Sequence, residues 1–164
     1  MRRMHKRLVG KIIDIDANLL HPDLASTYQY HVDNAMRRGV AMFVVPGSTV
    51  ADSKACIQLM RDSPLRYVAT AGVHPYHAES CSFTPENAAL LEDMLVESNA
   101  IFTNSPSPTS SSLAQRAVDS DNETACAAFS PISVTCVGEC GLDYSEGFPE
   151  RALQLPWFRH QVEL

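Results

Sequence analysis

The chain has 164 residues, 45% of them apolar and 20% charged, with 13 basic against 19 acidic side chains and a net charge of −6. That length and composition fit one globular unit with a buried core, and the acidic balance excludes a protein that grips nucleic acid through a broad cationic face. No run of about 20 apolar residues occurs, which excludes a membrane-spanning helix.

The basic opening MRRMHKR leads into a stretch that Lys11 and Asp14 interrupt, so no secretory apolar run follows it. A frayed tail is expected there, with organelle import as the alternative, and the expected location is intracellular, cytoplasmic or nuclear. KIIDIDAN, at 11–18, reads as a strand with a polar end. Ser26, Thr27, Tyr28 and Gln29 fit a capping box, with Tyr28, Val32, Ala35 and Met36 at helical spacing behind it and Gly39 as the stop. VAMFVV, at 40–45, is the continuous apolar run of a strand buried on both faces, closed by Pro46 and Gly47. Thr49 is placed to cap a second helix whose apolar stripe is Ala55, Cys56, Leu59 and Met60.

A third strand is expected over 66–73. After it, Thr84 and Pro85 open a third helix with Ala88, Leu91 and Leu95 on its inner face. Residues 103–131 are rich in Ser, Thr, Asp and Asn and read as a disordered insertion, because too little apolar area is available there to offset the entropy of ordering. A fourth strand is expected over 132–137, then a loop, then a fourth helix from Pro149 onward.

The five cysteines, Cys56, Cys81, Cys126, Cys136 and Cys140, form no C-x-x-C pair and read as free thiols. Cys136 and Cys140 on one strand would lie about 13 Å apart, beyond disulfide reach. Alternating strands and helices imply right-handed crossovers and a parallel sheet, either doubly wound or part of a (β/α)8 barrel. Polar groups gather at the strand ends: Asp16 and Asn18, Ser48, His74 and His77, then Glu139 and Asp143. Barrel enzymes collect catalytic groups on that one face. No G-x-S-x-G elbow, P-loop or G-x-G-x-x-G fingerprint is present.

Three local signatures, DIDANLLHP at 14–22, TAGVHPYHA at 70–78 and VGECGLDY at 137–144, together with the tail PERALQLPWFRHQVEL, resemble the TatD family of metal-dependent deoxyribonucleases. The resemblance implies the N-terminal half of a (β/α)8 barrel, about four βα units, as one partial hydrolase domain over 1–164 that carries the insertion. It implies a hydrolase of nucleic-acid phosphodiesters, with 3′-5′ exonuclease action, and Glu139 as a ligand that bridges two divalent ions. The alternative for Glu139 is a solvated carboxylate or one paired with Arg151. Asp16 and Asn18 fall where many amidohydrolases carry His-x-His, so each maps onto a metal-ligand position; a strand-end capping role is the alternative. Oxygen donors favour magnesium or manganese, with zinc a weaker candidate.

Asp14 is read as an internal support. His74 maps onto a histidine at the rim that orients a phosphate or a metal-bound water, and Asp143 and Tyr144 either shape the pocket or belong to an ordinary turn. The family's remaining ligands, two histidines and an aspartate, come from later strands, and a whole barrel takes about 250 residues. The expectation is therefore a truncated chain with little or no catalysis of its own, prone to self-association through half-barrel edges. Two rival readings stand beside it: a non-catalytic relic or scaffold, and an amidohydrolase-like enzyme for other esters or amides.

Overall fold

The computed structural model describes residues 12–64, 66–103 and 136–164, with side chains as far as 98 in the middle stretch. The basic opening, the serine-rich stretch from 104 and the first residues of the expected fourth strand, 132–135, lie outside the described residues.

Strands β1 (Ile12–Asp14), β2 (Val40–Val45), β3 (Tyr67–Ala71) and β4 (Cys136–Val137) are parallel and lie side by side in chain order. Helices α1 (Tyr28–Arg37), α2 (Val50–Asp62) and α3 (Pro85–Thr103) follow the first three strands, and α4 (Arg151–Glu163) follows the fourth. A doubly wound sheet reverses its strand order at a switch point. Here the order runs on without reversal, and the sheet curls into half of a barrel with its helices outside. Register follows the apolar runs: Val44 pairs with Val68 and Val45 with Ala69, while Thr70 pairs with Cys136 and Ala71 with Val137.

Thr49 caps α2 as expected, its Oγ1 accepting the Asp52 amide at 3.1 Å. Thr84 accepts the Asn87 amide at 3.1 Å and opens α3, whose Ala88, Leu91 and Leu95 are buried. The capping box expected at α1 does not form; the Thr27 hydroxyl donates backwards to the Leu24 carbonyl at 3.4 Å. In α2 the inward stripe is Ser53, Cys56, Ile57 and Met60, whereas Ala55 is exposed and Leu59 half-buried. The stripe begins with a serine, whose hydroxyl serves the backbone of Gly72, accepting its N–H at 3.0 Å and facing its carbonyl at 3.2 Å.

The core joins Phe43, Val45, Met60, Tyr67, Leu91 and Trp157. Cys56 is buried in it, and burial together with the nearby Asp52 carboxylate pushes its thiol up to about 12, which leaves it protonated and unreactive at neutral pH. Cys56, Cys81 and Cys140 are free thiols. No helix among the described residues is long and apolar enough to cross a membrane.

Among the described residues, strands β1 and β4 are the edges of the sheet. On the β1 side Ile12 is 52% and Ile15 77% exposed. Unpaired edges beside exposed β-branched residues favour strand-to-strand association. The chain is expected to elute as an oligomer in size-exclusion chromatography with light scattering, and Ile12→Lys with Ile15→Lys to shift it towards monomer. A well-dispersed wild-type monomer would contradict this.

Candidate active site

Beyond β1, whose residues are all exposed, burial alternates from Asp16 to Leu19. Ala17 and Leu19 turn inward and are buried, and the Ala17 amide extends the ladder onto the Val44 carbonyl at 2.9 Å. Asp16 and Asn18 therefore share the opposite, exposed face. Asp14 is exposed rather than internal, yet it does support its neighbour: its Oδ1 accepts the Asp16 amide at 3.3 Å.

The ends of the other strands are tied together through two consecutive carbonyls. Gly47 receives the Glu139 amide at 3.1 Å, and Ser48 receives the His74 amide at 3.0 Å. To reach Gly47, the end of β4 passes over Gly72, where an added Cβ would stand 2.6 Å from the Glu139 carbonyl oxygen and 2.6 Å from Gln161 Oε1. Only glycine permits that approach. Gly138, at φ 143°, adopts a backbone conformation that a side chain would oppose, and the peptide between Gly138 and Glu139 is cis.

One open pocket of about 340 Å³ results, lined by Asp16, Asn18, Ser48, His74, His77 and Glu139, with Pro46, Tyr76 and Phe148 completing its wall. The four residues singled out from the sequence, Asp16, Asn18, His74 and Glu139, thus meet in one place. Among the described residues the carboxylates of Asp16 and Glu139 and the amide of Asn18 have no hydrogen-bond or ion-pair partner. Glu139 is not paired with Arg151, whose guanidinium lies 5.8 Å above the Tyr144 ring. His74 caps a short 3-10 helix (Pro75–His77), its Nδ1 accepting the Tyr76 amide at 3.2 Å. With Nδ1 so used, the neutral ring carries its proton on Nε2 and is a donor there.

Asp143 and Tyr144 do not line the pocket. Asp143 is committed to a turn: its Oδ1 accepts the amide and hydroxyl of Ser145, and these bonds hold its carboxyl below the usual carboxylate range.

The lining residues include two carboxylates and no lysine or arginine. A phosphate placed there meets net negative charge unless a cation joins it. Carboxylate and amide oxygens with imidazole are suitable donors for a hard divalent ion. Among the described residues, however, no three His, Cys, Asp or Glu side chains come close enough together to hold an ion by themselves. The donor types fit, and they would supply only part of a coordination sphere. A larger groove of about 660 Å³ between α2 and α3 is lined on one side by Lys54 and on the other by Asp93 and Glu97, and it contains none of the strand-end groups.

What the sequence reading missed is the support from α4. Gln161, 3% exposed, uses its amide as a strand would: Oε1 accepts the Val73 N–H at 2.7 Å and Nε2 donates to the Val73 carbonyl at 3.2 Å, which fixes the backbone directly before His74. Two turns earlier, Gln154 does the same for Asp143, accepting its N–H at 2.8 Å and donating to its carbonyl at 2.6 Å. Between them Trp157 donates Nε1–H to the Cys81 carbonyl at 2.6 Å. The available signal was the spacing Gln154, Trp157, Gln161, which puts all three on one helical face.

A family model described as TatD related DNase matches residues 13–164. Curated relatives named 3′-5′ ssDNA/RNA exonuclease TatD include that of Erwinia amylovora, 26% identical over 153 residues, 93% of this chain and 45% of the relative. The one from Yersinia pseudotuberculosis is 27% identical with the same coverage. Among solved structures, a TatD family hydrolase from Entamoeba histolytica aligns with a TM-score of 0.59 at 19% identity, covering 93% of this chain and 45% of that one. An uncharacterized amidohydrolase from Saccharomyces cerevisiae aligns with a TM-score of 0.56 at 24% identity, covering 93% and 43%. These structural likenesses establish the fold alone. The chain spans about half the length of the curated relatives it matches, 45% in each case given. With the family model covering nearly the whole chain, this protein belongs to the TatD related DNase family.

Proposed function

We propose that the strand-end pocket is part of a divalent-metal-dependent phosphodiesterase site that trims single-stranded nucleic acid from its 3′ end. The observation that carries this reading is the meeting of two carboxylates without partners among the described residues, Asp16 and Glu139, with His74 at the C-terminal ends of parallel strands, in a pocket without lysine or arginine. The substrate class comes from the names of the exonuclease relatives.

Glu139, Asp16 and the Asn18 amide oxygen would hold a magnesium or manganese ion, oxygen donors favouring these over zinc. The chemistry such an ion supplies is to screen phosphate charge and to lower the pKa of water. The chain's own groups do the rest. His74 donates from Nε2 to a phosphate oxygen and orients it, while the Gly47 and Ser48 carbonyls and the Gln161 amide keep His74 and Glu139 in register. Few phosphate contacts are needed to hold a strand end, which suits a chain of net charge −6.

The test is a 5′-labelled single-stranded oligonucleotide incubated with the chain and manganese. Shortening from the 3′ end that disappears in Glu139→Gln supports the reading; shortening that survives this change contradicts it.

A second reading has a specific observation behind it. No three ligating side chains converge among the described residues, and on this reading the chain holds an ion weakly and engages a strand end without cutting it. The same assay separates the two, because manganese-dependent retention of an oligonucleotide that stays intact is the signature of the second.

A further inference from the structure

The pocket has an aromatic wall that neither reading uses. Tyr76 and Phe148 come from different βα loops and meet edge to face, their ring centroids 5.6 Å apart at 81°. His74 lies 6.2 Å from Phe148, and His77 lies 5.2 Å from Tyr76. Tyr76 is 56% exposed, so most of its ring does not serve the core. Its place is nonetheless fixed: it is the middle residue of the short helix that His74 caps and Pro75 opens. The same pocket contains Asp16 and Glu139 and no lysine or arginine, so the chain itself offers the phosphate backbone few contacts beyond His74.

We propose that Tyr76 and Phe148 form a stacking platform for the 3′-terminal nucleobases of a single strand. This rests on the nuclease reading above and adds the source of its binding energy and strand selectivity. Every nucleobase has a flat face, so the platform accepts any sequence. It needs a base that is not stacked inside a helix, so it favours free single-stranded ends over blunt duplex ends.

The experiment measures binding of the full chain, with manganese present, to two 5′-fluorescent octathymidylates by anisotropy. In one the two 3′-terminal residues are abasic, and in both the terminal linkages are phosphorothioates so that binding is read without cleavage. The wild type is expected to prefer the intact strand on the order of 10-fold. Tyr76→Ala, at an exposed position, and Phe148→Leu, which keeps an apolar filler, are expected to lose most of that preference, and Tyr76→Phe to keep it. Strong binding to both strands without preference overturns the platform alone. A preference that survives both Tyr76→Ala and Phe148→Leu also overturns it. Binding to neither strand overturns the nuclease reading on which the platform rests.

Discussion

Replacing Glu139 with glutamine is expected to lower the affinity of the chain for manganese at least about 10-fold, since even the loss of an outer-shell partner at a metal costs that much. The change keeps the side chain's shape and removes its charge. The backbone anchor is untouched, because the Glu139 amide still donates to the Gly47 carbonyl. No partner of the carboxylate is lost, since none exists among the described residues. Without metal, the substitution takes away one of two like charges facing the same pocket. Thermal stability should therefore stay within about 2 °C of wild type. Asp16→Asn should do less, since Asp16 is exposed and stands beyond the end of its strand. Titration calorimetry reads both variants. Unchanged manganese affinity in Glu139→Gln would remove it from the site, and a large loss of stability would recast it as a structural residue.

Trp157→Ala is expected to cost about 3–5 kcal/mol of folding free energy. Trp157 is the only tryptophan of the chain and is 1% exposed. It stands edge-on to Phe83, with centroids 5.1 Å apart at 90°, and its indole N–H satisfies the Cys81 carbonyl. The truncation opens a cavity at the junction of α4 with the loop after β3, and it leaves that carbonyl without its donor. Such a loss is a large share of the roughly 5–15 kcal/mol that holds a domain folded. Trp157→Phe keeps most of the packing and should cost about 1–2 kcal/mol, near the value of one hydrogen bond with its unsatisfied acceptor. Urea unfolding followed by circular dichroism measures both, and equal costs for the two would show that packing matters little here.

The candidate site was legible because barrel chemistry collects at strand ends. Asp16, Asn18, His74 and Glu139 each follow an apolar run, and the structure brings all four to one pocket. Two features of the chain hid the rest. Apolar periodicity reads a buried polar residue as a surface one, which is why Ser53, Gln154 and Gln161 were missed although each pairs with backbone. The same assumption misplaced the stripe of α2 by putting Ala55 inward. Strand lengths were also overread: β1 ends at Asp14 and β3 at Ala71, and beyond them single backbone bonds, from the Ala17 amide to the Val44 carbonyl and from the His74 amide to the Ser48 carbonyl, take the place of regular strand pairing. Tyr76 and Phe148 are 72 positions apart in sequence, and only the side-by-side placement of β3 and β4 brings their loops together.

Whether the strand-end pocket takes a divalent ion is read by two-dimensional amide NMR of the full chain during a manganese titration. Substoichiometric manganese is expected to broaden the amide signals of Asp16, Ser48, His74 and Glu139 first, and Glu139→Gln to abolish this selectivity. Broadening that begins instead at the surface carboxylates of α1 and α2, Asp33 and Asp52, or that spreads evenly over the chain, would contradict it.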